Sequence, residues 1–383
     1  MKILNTLQPK NISPKKELNK ILFILQLPPP VHGSSMVGQY IKESQVINTS
    51  FNCRYINSGI SNNVNEIGKI KLSKILNYLS ILIQTIRQLI KFKPDLCYVA
   101  LTASGAAFYK DVLVILLIKL FNVKLVYHFH NKGVSTRQHQ FIDNLLYGYV
   151  FKNTDVILLS KYLYSDIQSY VPESKIHICP NGIPVLNKLI RRDDKNQNEI
   201  VKILFLSNLI ESKGVFILLE ACSLLKQRGI SFECTFIGGE GDVNIVQFKN
   251  KVQLLGLLNH VNYLGKKLGN EKNQAFINAD IFAFPTYYHN ECFPLVLLEA
   301  MQHELPVVST FEGGIKDIVE DGKTGFLVQQ NNVLAFAEKL EALAKIKEMR
   351  IKMGKAGRRK YEQEFTLKKF EIRLTEILNQ MIS

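Results

Sequence analysis

Several signatures are missing from the 383 residues: there is no C-x-x-C pair, no D-x-D, no G-x-G-x-x-G and no apolar run of membrane-spanning length. Each absence removes a class. Without paired spacing, the six cysteines (Cys53, Cys97, Cys179, Cys222, Cys234, Cys292) do not form a zinc or disulfide framework. Several sit in apolar strand-like runs and read as reduced core residues of a cytosolic protein. Cys292 alone lies in a loop of chemical interest, and nothing near it marks a nucleophile. The longest apolar run, VLVILLI at Val112–Ile118, is far short of the ~20 residues a span needs and reads as a buried helix. No D-x-D occurs and the eight histidines lack ligand spacing, so no metal site is expected. The glycine fingerprint and closing acid of a dinucleotide fold are also missing, which argues against a nicotinamide dehydrogenase.

Acidic residues are scarce: 33 against 48 Lys and Arg, a net charge of +15. The imbalance is concentrated in residues 1–130, with sixteen basic residues and five acidic ones. Lys69–Lys93, KIKLSKILNYLSILIQTIRQLIKFK, is a long apolar helix candidate with basic ends, suited to an anionic bilayer surface. The plainer alternative is that it packs inside the first domain with its lysines solvated. Aromatic-interleaved basic strands, zinc-finger spacing and helix-turn-helix signals are all absent, so nucleic acid is not an expected partner.

What is present is an alternation of short apolar runs and helical patterns. In the first half the runs are Lys20–Gln26, Asp95–Leu101, Lys124–His130, Asp155–Ser160 and Lys175–Pro180. In the second half they are Val201–Asn208, Phe232–Gly238, Val261–Gly265, Ile281–Pro285, Pro306–Thr310 and Gly325–Val328. This is the βαβ pattern of doubly wound parallel sheets, an α/β protein with two Rossmann-like domains facing across a cleft. Polar, aperiodic Asn187–Glu199 is the natural linker. The expected division is a loose lead-in at 1–19, a first domain at 20–186, the linker at 187–199 and a second domain at 200–362. A C-terminal helix at 363–383 is expected to pack back on the first domain.

Phe284–Met301, FPTYYHNECFPLVLLEAM, carries the clearest chemistry. Glu291 falls in a loop after an apolar strand, where ligands gather in open α/β sheets. Pro294 suits the first position of the following helix. The N–H groups around Phe293, Pro294 and Leu295 then form an anion seat beside the Glu291 carboxylate. Glu299 follows eight positions on. That spacing alone means little, since Glu304/Glu312 and Glu312/Glu320 repeat it; the strand–loop–helix context gives it weight. Four further loops point the same way. PPPVHGSSMVG puts Gly33 and two serines ahead of a helix. SNLIESKG places Lys213 at a helix start, against the macrodipole unless an anion sits there. GGEGD and EGGIKDIV add glycine-rich strand ends.

In this order the motifs resemble the C-terminal half of glycosyltransferase family 4, over Lys202–Val328, and more loosely the N-terminal half through PPPVHGSS, VYHFHN and CPNGIP. The resemblance implies a GT-B fold and a retaining, metal-independent transfer from a nucleotide-diphosphate sugar to an acceptor hydroxyl, with no cofactor. Glu291 would contact donor-sugar hydroxyls, the backbone at Phe293–Leu295 sugar and phosphate, and Glu299 the ribose. Lys213 would neutralise the diphosphate, Gly33 would let its loop close on it, and the backbone after Gly265 would meet the base. His130, after a strand of the first half, would lie at the reacting centre. His32, Ser34 and His128 would stand with it on the acceptor side. The chain departs from the family at Asn208, where an arginine is usual, leaving more to Lys213, Lys266 or Lys267. It departs again at Cys292, where glycine is common. The expected setting is bacterial surface polysaccharide or lipopolysaccharide assembly, cytoplasmic and peripheral to the inner face of the plasma membrane, with a glycan or lipid-linked acceptor. The rival readings are another two-Rossmann nucleotide-sugar enzyme, such as a sugar-phosphate synthase or epimerase, and a non-catalytic basic membrane-associated scaffold.

Overall fold

The computed structural model describes residues 17–59, 72–186 and 200–382. The expected linker 187–199, most of the lead-in and the first residues of the basic helix lie outside the described residues. Two six-stranded parallel sheets form the frame. The first runs in the order β2-β1-β3-β4-β5-β6, from β1 (Lys20–Leu25), β2 (Asn52–Asn57), β3 (Leu96–Val99), β4 (Lys124–His128), β5 (Asp155–Leu158) and β6 (Ile176–Ile178). The central strands are buried on both faces. Ile21, Phe23 and Leu25 enter one apolar cluster, while Leu22 and Ile24 enter the other. That period-2 split requires helices on both sides.

The first face is covered by α1 (Gly33–Glu43) and α2 (Gln45–Ser50), whose Val37, Ile41 and Ile47 pack on Phe23 and Tyr98. The opposite face carries α3 (Leu72–Lys91), α4 (Gly105–Leu120), short α5 (Val134–Arg137) and α6 (Phe141–Phe151). The second sheet has the order β12-β11-β10-β7-β8-β9. Its strands are β7 (Val201–Leu206), β8 (Phe232–Ile237), β9 (Val261–Tyr263), β10 (Ile281–Phe284), β11 (Val307–Thr310) and β12 (Gly325–Val328). Between and after them come α7 (Val215–Gln227), α8 (Ile245–Leu254), α9 (Gly269–Asn278), α10 (Leu295–Gln302), α11 (Ile315–Ile318), α12 (Val333–Lys345) and α13 (Lys347–Glu364).

The chain then returns to the first domain. Ile183 donates to the Phe365 carbonyl at 3.0 Å and Leu367 donates to the Ile183 carbonyl at 2.8 Å. These bonds aim α14 (Leu367–Ile382) at the α1/α2 face. Its stripe of Phe370, Leu374, Ile377, Leu378 and Met381 falls at helical spacing and packs against Ile21, Phe23 and Leu25.

Every strand expected from the sequence is present within two residues at either end. β2 was not expected. It is an edge strand with mostly half-exposed residues, NCRYIN, and lacks the apolar run that marks its neighbours. The Val112–Ile118 run needs a correction too. It is helical within α4, but Leu113 and Leu116 are exposed, so the helix is not wholly buried.

Candidate functional site in the cleft between the two sheets

The loop from Pro285 to Pro294 is held from below by its own domain. Thr310 Oγ1 donates to the Thr286 carbonyl at 2.5 Å, and Tyr287 donates to the Ser212 carbonyl at 2.7 Å. Gly314 donates to the Cys292 carbonyl at 2.7 Å. Gly313, at φ +51°, passes so close that a Cβ there would lie 2.3 Å from the Glu291 carbonyl oxygen. Only glycine fits both that conformation and that approach. The EGG motif thus serves as the floor under Glu291. Pro294 differs from expectation by one position. It is the cap, at φ −68° and ψ 116°, and the helix opens at Leu295.

Glu291 is buried, and its Oε2 pairs with Lys213 Nζ. That ammonium also lies 4.4 Å from the centre of the Tyr288 ring, a cation–π contact. Lys213 ends a short 3₁₀ turn, and Gly214 caps α7 at φ +91°, where a Cβ would meet the Pro285 carbonyl at 2.2 Å. β7 and β10 are neighbours in the sheet, so their carboxyl ends bring lysine and glutamate together across 78 residues of chain. Burial and the Glu291 charge push the Cys292 thiol far above its ordinary range, leaving it neutral and unfit as a nucleophile.

The opposite wall comes from the first domain. His32 caps α1: its Nδ1 accepts from Ser35 N–H at 3.3 Å, which places the neutral ring's proton on Nε2. Ser34 Oγ sits 3.0 Å from that Nδ1 and 3.0 Å from Gln26 Oε1. Gly33 has open space where a Cβ would stand. His130 follows β4 into the cleft. Its Nδ1 is buried without a hydrogen-bond partner among the described residues. Burial, reinforced by His32, pushes its pKa down to about 4. A cavity of about 280 Å³ joins the walls, lined by His32, Gly33, Ser34, His130, Asn131, Leu159 and Asn181 on one side and Tyr288 to Leu295, except His289, on the other. Two helix N-termini, those of α1 and α10, open on it, and both favour negative charge.

Asn181, in the CPNGIP segment, lines the cavity and is not among the residues expected from the sequence. It is 4% exposed, and its Oδ1 is buried with no hydrogen-bond partner among the described residues. A buried amide oxygen left unpaired costs free energy, and here it lies in the cavity wall. No sequence signal separates it from an ordinary turn asparagine.

Other expected residues lie apart from this cavity. His128 is fully buried within β4, its Nδ1 2.5 Å from the Tyr98 hydroxyl. Its ring centre is 4.3 Å from that of His130, so it supports His130 from beneath rather than lining the cavity. Asn208 Oδ1 accepts from Gly239 N–H at 3.1 Å, and the Gly265 carbonyl accepts from Gly238 N–H at 3.0 Å. Both hold the GGEGD loop in place. Glu299 is bound by Lys272 Nζ at 2.6 Å, and its charge adds to burial in raising the Tyr40 phenol, on α1, to about 12. Lys267 is engaged by Glu271 at 2.7 Å.

Across the cleft, Lys132 pairs with Glu312, and Ser160 Oγ donates to Asp317 Oδ2 at 2.5 Å. Lys132 and Glu312 line a second cavity of about 250 Å³.

Comparison with known proteins fits this geometry. Residues 187–360 match the family described as glycosyl transferases group 1. The amylovoran biosynthesis glycosyltransferase AmsK of Erwinia amylovora is 31% identical over 271 residues, 69% of this chain and 66% of that protein. The putative colanic acid biosynthesis glycosyltransferase WcaL of Escherichia coli K12 is 27% identical over 266 residues, 67% of this chain and 64% of that one. The matches thus span just under two thirds of these relatives' length. Among solved structures, Anabaena Alr3699/HepE in complex with UDP and glucose superposes with a TM-score of 0.71 at 17% identity, covering 94% of this chain and 99% of that one. The fold is therefore the two-Rossmann arrangement of the GT-B glycosyltransferases.

Proposed function

We propose that this chain, a relative of the group 1 glycosyl transferases, moves a sugar from a nucleotide-diphosphate sugar to an acceptor hydroxyl during surface polysaccharide assembly, with retention at the anomeric carbon. One observation carries the reading. The Lys213–Glu291 pair sits at the carboxyl ends of two adjacent strands, next to a cavity shared by two helix N-termini from different domains. A sugar diphosphate is the ligand class that asks for all of these at once: hydroxyls for a carboxylate, phosphates for N–H groups and a lysine.

In this mechanism Glu291 accepts hydrogen bonds from donor-sugar hydroxyls, and the N–H groups opening α10 hold sugar and β-phosphate. As the bond from anomeric carbon to phosphate oxygen breaks, negative charge grows on that oxygen, and Lys213 with the α1 N-terminus stabilises it. The acceptor oxygen attacks the same face, and its proton passes to the departing phosphate. His130, kept neutral by its low pKa, and Asn181 Oδ1 orient hydroxyls at the reacting centre. Lys213 and the helix ends carry the charge that a metal would otherwise carry. The complex of the Anabaena protein with UDP and glucose supports trying uridine donors first. The names of the bacterial relatives, which place them in amylovoran and colanic acid biosynthesis, support a glycan acceptor.

A thermal-shift panel of UDP-, GDP-, ADP- and dTDP-sugars tests the reading. At a hundredfold excess over Kd, binding to the native state adds about 2.7 kcal/mol of stability. One nucleotide should raise the melting temperature clearly above the rest. No shift with any donor would contradict the proposal.

A further inference from the structure

The connections β2–α3–β3, β3–α4–β4 and β4–α6–β5 advance in one direction across the first sheet, so α3, α4 and α6 lie side by side on one face. Tyr78 of α3 donates to the Lys110 carbonyl of α4 at 2.7 Å, and Tyr109 of α4 donates to Asp143 of α6 at 2.6 Å. Their inner sides are core: Ile81, Leu89, Phe108, Ile115, Tyr147 and Val150 are buried. Their outer sides are apolar as well. On α3 Leu79 and Ile83 face out, on α4 Leu116 and Leu120, on α6 Phe141 and Leu145. Ile83 is 66% exposed, Leu120 79% and Phe141 82%. Single exposed leucines are ordinary in a folded protein; one stripe on each of three adjacent helices is a patch.

The charges on this layer are one-sided. The three helices contain two carboxylates, Asp111 and Asp143, and both are buried and already hydrogen-bonded. Among the described side chains the exposed charges are Arg87 and Lys91, with Lys93 and Lys152 just past the helix ends; Asp95, beyond Lys93, is an exposed carboxylate that accepts from Lys20 N–H at 2.7 Å. No helix among the described residues is long and apolar enough to cross a membrane.

We propose that this three-helix face lies flat on an anionic lipid bilayer. Its leucine, isoleucine and phenylalanine side chains enter the headgroup boundary, and the four basic residues sit over lipid phosphates. A second copy of the chain is the poorer occupant. A self-paired face would oppose arginine and lysine to their own kind, with no carboxylate on the three helices free to relieve them. The inference goes beyond the transferase reading and stands without it: an apolar face with a basic rim binds lipid whatever the cleft holds.

Co-sedimentation of the full chain with phosphatidylcholine vesicles, with and without phosphatidylglycerol, tests it. Binding should require the anionic lipid and weaken as salt rises. The triple variant Ile83→Gln/Leu120→Gln/Phe141→Gln should keep its circular dichroism and melting temperature, because the three side chains are exposed, and bind at least about tenfold more weakly. Equal binding by the variant, or equal binding to neutral vesicles, would overturn the proposal. So would sedimentation showing a wild-type dimer that the same variant splits, since the face would then be a self-interface.

Discussion

Lys213 and Glu291 are each the other's chief partner, and both are largely buried. Replacing either one leaves a charge without its counterpart, so single variants mix stability with function. Glu291→Gln keeps shape and hydrogen-bonding capacity. It should lower kcat/KM by about a hundredfold or more, as loss of a transition-state contact does, with its circular dichroism retained. Asn181→Ala is the complementary case. Its Oδ1 has no hydrogen-bond partner among the described residues, so its removal should leave the melting temperature nearly unchanged while kcat/KM falls by about tenfold, roughly 1.4 kcal/mol. A large stability loss with unchanged kinetics would make Asn181 a packing residue instead. The two cleft histidines, and His128 beneath them, make a pH prediction. Burial lowers the pKa of His32, His128 and His130, the last to about 4 against an ordinary 6.5. The fold thus favours their neutral forms. The stability they permit is fully present above pH 6.5 and is lost as pH falls toward about 4. Melting temperature should decline through that window, while kcat/KM between pH 8 and 6 should show no acidic limb from His130. A limb centred near 6.5 would mean that His130 titrates as an exposed histidine does.

At the scale of elements, α14 is the clearest structural commitment. Its buried leucine, Leu374, lies against β1, the strand that leads into the His32 loop. Leu374→Ala should cost about 2–5 kcal/mol in denaturant unfolding and should loosen the first domain rather than the second. Much of the element order was legible in the sequence, because parallel strands buried on both faces leave unbroken apolar runs such as KILFIL and IFAF. β2 was not legible, since an edge strand with alternating exposure carries no such run. The outer faces of α4 and α6 were not legible either. An apolar stripe looks the same whether a second layer covers it or not, so VLVILLI read as buried when Leu113 and Leu116 are exposed. In the cleft, loop residues with unusual backbone demands announced themselves: Gly313 and Gly214 each sit where a Cβ would strike a carbonyl. Asn181 did not, because its significance is an unfilled hydrogen bond, and that exists only once the chain is folded. Nor could the sequence show that Asn208, read as a missing diphosphate cation, is a tie to Gly239.

For the whole molecule, the two domains meet through few polar contacts beside the cleft, chiefly Lys132–Glu312 and Ser160–Asp317. Both partners on the second domain lie in the EGGIKDIV loop, which also supports Glu291 from below. Domain approach and donor seat therefore share one loop. Glu312→Gln should change KM for the acceptor, which both domains must hold, more than the affinity for the donor nucleotide. In the proposed function the Lys213 turn and the Glu291 loop that opens α10 together form the seat of a sugar diphosphate, with Gly313 as its floor. Calorimetric titration tests it most directly, comparing wild type with Lys213→Met against the preferred nucleoside diphosphate and the matching monophosphate. The variant is expected to bind the diphosphate at least about tenfold more weakly, the loss of one charge-assisted contact, and to bind the monophosphate nearly as well as wild type. Unchanged diphosphate affinity in the variant would contradict it.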